Sequence, residues 1–149
     1  MSRIKGVDHI AIAVEDLDRA IVVFETVLGS RVNHRETIED QGVEVATIPL
    51  GDPGGSSTAV SAIELVAALS ADSPIGKFIA KRGPGIHHIA LAVGDIERAI
   101  AELKNNNITM IHDEPRTGKE GSRIAFVHPG STEKVLLELV EPGESHESS

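Results

Sequence analysis

The chain has 149 residues, 40% hydrophobic and 25% charged, which fits one globular domain of ordinary size or two small halves sharing a core. Fourteen basic against 23 acidic residues give a net charge of −9, and three phenylalanines stand without any tyrosine or tryptophan, which argues against a nucleic-acid-binding surface. The absence of cysteine excludes a disulfide framework, a zinc ribbon and a thiol nucleophile. No run approaches the roughly 20 apolar residues of a membrane helix, and the N-terminal residues lack a signal peptide's apolar stretch. A soluble cytoplasmic protein is therefore expected.

In chain order, an alternating strand opens the sequence, with Ile10, Ile12 and Val14 on one face and His9, Ala11 and Ala13 on the other. Asp16 stands where an N-cap would, ahead of a helix whose apolar face is Leu17, Ala20, Ile21, Phe24 and Leu28 and whose stop is Gly29. Three strands are predicted next, at about 31–36, 43–50 and 60–67, with a long loop at Gly51–Ser57. Ser73-Pro74 predicts an N-cap and first turn for a short helix to about Arg82, with Ile75, Phe78 and Ile79 as its stripe and Gly83-Pro84-Gly85 as its end.

The pattern then starts again. Residues 7–21 align with residues 86–100 at a constant offset of 79, and nine of the fifteen positions are identical. Asp95 repeats the cap, Ile96, Ala99, Ile100 and Leu103 repeat the apolar face, and strands are predicted at about 108–112, 122–128 and 135–140. The chain thus reads as two copies of one β-α-β-β-β unit, at about 5–70 and 85–142. A linker helix lies between them at about 73–83, and a polar, frayed tail follows at 143–149.

The same two residue types recur at the same two places in each copy: His9 and Glu64 in the first, His88 and Glu138 in the second. Each histidine has small alanines beside it on its strand face, and each glutamate interrupts a strand of Ile, Leu and Val. A lone histidine or glutamate in such a strand is usually structural or solvent-facing. Four polar residues repeated in register need a shared explanation, because each is costly to bury. Two imidazoles and two carboxylates suit Co, Zn, Ni, Fe or Mn, and four ligands leave a five- or six-coordinate metal open to substrate.

The duplication with His…Glu in each half resembles the vicinal oxygen chelate superfamily, which includes glyoxalase I and the extradiol dioxygenases. Within it, Val7-Asp8-His9-Ile10-Ala11, Gln41-Gly42-Val43, Asp72-Ser73-Pro74-Ile75, Gly85-Ile86-His87-His88-Ile89-Ala90, Asp113-Glu114-Pro115, Phe126-Val127-His128-Pro129 and Val135-Leu136-Leu137-Glu138-Leu139 resemble the methylmalonyl-CoA epimerases over about residues 5–142. The resemblance implies an α+β fold of two tandem βαβββ units forming a curved mixed sheet around a metal site. It implies a divalent metal, commonly Co²⁺ with Zn²⁺, Ni²⁺ or Mn²⁺ as substitutes, held by His9, Glu64, His88 and Glu138. It also implies interconversion of (R)- and (S)-methylmalonyl-CoA or a similar acyl-CoA, and a homodimer. Removing the proton alpha to a thioester and returning it on the other face needs two acid–base groups. Glu138 matches one of them.

The second base is read at Glu44. That residue stands one position earlier than an ungapped match to some relatives requires, so it is either the base through a local bulge or a solvent-facing residue. Two further departures are Glu64, where some epimerases carry Gln, and a long Pro53–Ser61 stretch before the ligand strand. His87 is expected to point away from the metal by strand alternation. His128 is either a pocket residue or a packed strand end. Arg116, Lys119 and Arg123 either meet CoA phosphates or the substrate carboxylate, or form a solvated hairpin. A glyoxalase I-type isomerase of glutathione hemithioacetals and a non-catalytic binding protein on the same fold are the alternative functions.

Overall fold

The computed structural model describes residues 3–51 and 60–143. Most of the Gly51–Ser57 loop, most of the Pro53–Ser61 stretch and nearly all of the polar tail lie outside the described residues. The element order is β1 (Ile4–Val14), α1 (Leu17–Leu28), β2 (His34–Ile38), β3 (Val43–Pro49), β4 (Val60–Ala68), α2 (Pro74–Arg82), β5 (Gly85–Val93), α3 (Ile96–Asn105), β6 (Arg116–Thr117), β7 (Arg123–Val127) and β8 (Leu137–Glu141). This is the β-α-β-β-β order twice with a helix between, and the class is α+β. Two compact units divide the chain, one of residues 9–87 and one of residues up to 8 together with those from 88 onward. The division therefore falls within β1 and β5, immediately before each repeated histidine, and not at the linker helix. No helix among the described residues is long and apolar enough to cross a membrane.

In the unit of residues 9–87, the strand order is β2-β3-β4-β1. The β3–β4 ladder runs without interruption from Val43↔Ala68 to Pro49↔Ala62, and β2–β3 runs from His34↔Thr47 to Ile38↔Val43. Residues paired across a ladder share a face and alternate along each strand. One face carries Ala46, Ile48, Leu65 and Ala67, and α1 packs on it through Leu17, Ala20, Ile21, Phe24 and Leu28. The other carries Ala11, Ala13, Val43, Val45 and Val66, covered at one end by Ile75, Phe78 and Ile79 of α2. Both helices start as the sequence predicts: the Asp16 carboxylate accepts from the Arg19 N–H and the Ser73 hydroxyl from the Gly76 N–H, each at 3.1 Å. Helix α1 ends at Gly29, whose φ of 66° is the left-handed geometry that a Cβ would strain.

In the other unit the order is β5-β8-β7-β6, with β5–β8 parallel and the remaining pairs antiparallel, so its sheet is mixed. Helix α3 closes one face with Ile96, Ala99 and Ile100 against Val93, Ala125, Val127 and Leu139. The opposite face carries Ala90, Ile124, Phe126 and Val140. The start of α3 is capped twice, by Asp95 accepting from the Arg98 N–H at 3.1 Å and by Glu141 accepting from the Ile96 N–H at 3.0 Å. Ile96 is fully buried. Ile96→Ala is expected to lower stability by about 2–5 kcal/mol and Asp95→Ala by about 1 kcal/mol, an order that denaturant unfolding measures directly.

The strand predicted at 108–112 is corrected. That segment makes a single bridge, Met110↔Val127, and the short strand beside β7 lies further on, at Arg116–Thr117. The ladder breaks at His112, whose Nδ1 accepts the Phe126 N–H at 3.2 Å, so an imidazole stands where a strand carbonyl would. Pro115 then offers no N–H to resume pairing.

Candidate metal centre

Strand alternation, not loop geometry, positions each histidine–glutamate pair. In the first unit, His9 follows the Ala11–Ala13 face of β1, and Glu64 pairs in register with Thr47 of β3. Both therefore lie on the face opposite α1, beyond the end that α2 covers. His9 is 4% and Glu64 5% exposed, and Nε2 of the histidine is 3.4 Å from Oε1 of the glutamate. In the second unit, Glu138 pairs in register with Ala90 of β5 and Phe126 of β7, which places it opposite α3. His88 lies two residues before Ala90 on the same face. His88 is 8% and Glu138 5% exposed, with Nε2 and Oε1 3.0 Å apart. The Phe126 ring meets His88 edge-on at 5.1 Å and 89°, which fixes the plane of the imidazole.

A carboxylate buried among aliphatic side chains is expensive unless a positive partner compensates it. Each pair offers an imidazole nitrogen and a carboxylate oxygen side by side, a borderline-to-hard donor set that fits a divalent transition metal. The two pairs repeat this chemistry in both units.

The structure does not bring Glu44 to this face. It pairs in register with Ala67 and Thr37, so it lies on the α1 side of β3, and the unbroken ladder contains no bulge to turn it. There its carboxylate accepts from Arg35 at 2.8 Å, and Arg35 also reaches Asp18 at 2.8 Å. The two carboxylates and their hydrogen bonds raise the guanidinium pKa above its ordinary value.

The other polar candidates separate cleanly. His87 packs edge-on against Phe78 of α2 at 4.9 Å. His128 is exposed at the end of β7, its Nδ1 accepting the Gly130 N–H at 2.9 Å, which is a strand-end role. Arg123 is engaged on the α3 side, 2.6 Å from Glu97 and 3.8 Å from Glu141. Lys119 sits in a single 3-10 turn, Lys119–Gly121. Arg116 pairs in register with Ile124, so it stands on the face of Phe126 and Glu138.

His112 was not visible as a candidate in the sequence, although it directly precedes the Asp113-Glu114-Pro115 block. Its ring lies 5.7 Å from that of Phe126, on which His88 also packs, and its Nε2 is 3.0 Å from a terminal nitrogen of Arg116. Burial first, and the Arg116 charge second, hold its pKa below the ordinary histidine value, while Glu138 opposes them. Between that lowered value and the ordinary one, the unfolded chain binds more protons than the folded chain, so stability falls as pH drops through this window. His112→Gln is expected to flatten the loss of stability below about pH 6.5 in thermal melts taken across pH.

Residues 8–126 match the glyoxalase/bleomycin resistance protein/dioxygenase superfamily, and the chain belongs to this family. Among its relatives, the mitochondrial methylmalonyl-CoA epimerase of Homo sapiens is 34% identical over 133 residues, covering 89% of this chain and 71% of that one. An uncharacterised Bacillus subtilis protein, YqjC, is 39% identical over 140 residues, covering 93% and 94%. The crystal structure of methylmalonyl-CoA epimerase from Mycobacterium tuberculosis superposes with a TM-score of 0.90 at 38% identity, covering 100% of this chain and 95% of that one. A methylmalonyl-CoA epimerase in complex with methylmalonyl-CoA superposes with a TM-score of 0.87 at 36% identity, covering 94% and 96%.

Proposed function

We propose that this chain is a metal-dependent epimerase that interconverts (R)- and (S)-methylmalonyl-CoA. The observation that carries the reading is the duplicated buried pair, His9 with Glu64 and His88 with Glu138, on a fold shared with proteins of that activity. In this reading the four residues hold one divalent ion, Co²⁺ by preference. The ion supplies Lewis-acid stabilisation for the negative charge that develops on the thioester as its alpha proton leaves.

The protein's own residues do the remaining work. Glu138 takes up the alpha proton of one epimer and, when the reaction runs the other way, delivers the proton that forms that same epimer, a task for a carboxylate shielded from bulk water. Phe126, the cross-strand neighbour of Glu138, holds the His88 ring in one plane. Arg116, on the same face, supplies a fixed positive charge for an anionic substrate. The enzyme acts as a homodimer in the cytoplasm. A hemithioacetal isomerase has the same ligand types, but the relatives that cover this chain and carry a named activity favour the acyl-CoA.

Incubating enantiopure methylmalonyl-CoA with the Co²⁺-loaded protein in D₂O tests the reading. Deuterium is expected at the alpha carbon together with racemisation, and both are expected to cease on adding EDTA. A folded, metal-loaded sample that exchanges no alpha proton would overturn the epimerase reading and move hemithioacetals to the front.

A further inference from the structure

Inverting the alpha carbon requires an acid–base group for each epimer, and Glu138 serves one. The strand faces that carry the metal-ligand pairs limit the choice for the other. In the unit of residues 88 onward, that face of the strands holds Arg116, Ile124, Phe126, Val140, Ala90 and His88, with Glu138 as its carboxylate; Glu141 points to the α3 side, where it caps Ile96. In the unit of residues 9–87, the corresponding face of β3 holds Val43, Val45 and Thr47, and that of β4 holds Ala62, Glu64, Val66 and Ala68. Strand β2 adds His34, Glu36 and Ile38. Glu36 is directly opposite Val45, with its side chain on the Glu64 side of the sheet. Among the described strand residues, these faces therefore carry three carboxylates: the two ligands and Glu36.

We infer that Glu36 is the second acid–base residue of the epimerisation, on the strength of its place on the ligand-bearing face and its bond to His34. This rests on the epimerase reading above. Oε1 of Glu36 lies 2.8 Å from Nε2 of His34, two residues back on the same strand face, so one carboxylate oxygen is fixed by the imidazole. Its side chain is 30% exposed, which shields it from bulk water yet lets it trade protons with solvent between turnovers. Strand β2 is at the edge of its unit's strand order, which leaves Glu36 beside the short Val45 side chain and not beneath another strand.

The proton balance closes without another reagent. A Glu36 oxygen forms an O–H bond as the Cα–H bond breaks, and the C–H electron pair delocalises into the thioester carbonyl as an enolate. Protonated Glu138 then gives its proton to the opposite face of the enolate. Glu36 releases its proton to water, and Glu138 regains one from water. The reverse epimerisation runs the same steps from Glu138 to Glu36.

The test is Glu36→Gln, assayed in D₂O with each epimer separately in the metal-loaded protein. Epimerisation is expected to fall by about 100-fold or more, while deuterium still enters one epimer with retention of configuration, through Glu138, at a rate within several-fold of the wild type. A residue that only supported the fold would slow both epimers together, so equal loss for both would overturn the assignment. So would near-wild-type epimerisation by Glu36→Gln, or the one-sided pattern in Glu44→Gln instead. If the wild-type protein itself exchanged neither epimer, the epimerase reading would fall before this inference was reached.

Discussion

Glu138→Gln is expected to reduce epimerisation of methylmalonyl-CoA by about 10²–10⁴-fold at saturating metal, the range by which a positioned acid–base group accelerates proton transfer. The substitution is nearly isosteric, and β8 keeps its register with Phe126 and Ala90, so the fold has no reason to yield. An amide neither accepts nor donates the alpha proton. Raising the metal concentration therefore does not restore the rate, which separates loss of the acid–base function from weakened metal binding. The residual activity should be the mirror image of that in Glu36→Gln: deuterium enters the other epimer, again with retention. Measuring both epimers in both variants assigns each proton to a named oxygen donor.

The second large effect is on the metal. His88→Ala removes one imidazole from a pair whose Nε2···Oε1 separation is 3.0 Å and leaves Glu138 buried at 5% exposure without that partner. Metal affinity is expected to fall by well over the roughly 10–100-fold seen when an outer-shell partner is lost, since this residue is proposed as a direct ligand. Loss of alpha-proton exchange should follow the loss of metal. Glu138 loses a buried partner and Phe126 the ring it packs against, so thermal stability should drop in the metal-free protein. Calorimetric titration of Co²⁺ into the chelator-treated variant and wild type reads the first effect, and melting curves read the second.

Much of the fold is legible in the amino-acid sequence. The repeat carries its own evidence, because alternation, an aspartate cap and an apolar helical face recur together at one offset, and each of those features has a local physical cause. The caps at Asp16, Asp95 and Ser73 form where the side-chain chemistry demands. The strand predicted at 108–112 does not form as such, because the break depends on His112 accepting an N–H from Phe126, a contact 14 residues away that no local pattern encodes.

Face assignments divide in the same way. Within a strand, alternation places His9 and His88, and it leaves Glu44 with two readings that only the unbroken β3–β4 ladder separates. Glu36 lies at the predicted end of its strand, where facing is undefined until its pairing with Val45 is known. Arg116 and Arg123 look equivalent as basic residues of one loop. Register assigns them to opposite faces, Arg123 to the acidic start of α3 and Arg116 to the face of Glu138.

The two repeated histidine–glutamate pairs are proposed to serve one metal ion, a claim that metal stoichiometry tests. Chelator-treated protein is titrated with Co²⁺, dialysed, and its metal content determined per chain, for the wild type, His9→Ala and His88→Ala. One ion per chain in the wild type, with tight binding lost in either variant, is the result predicted. Two ions per chain, or a wild type from which each variant loses only its own half, would contradict the claim and make each pair a separate site.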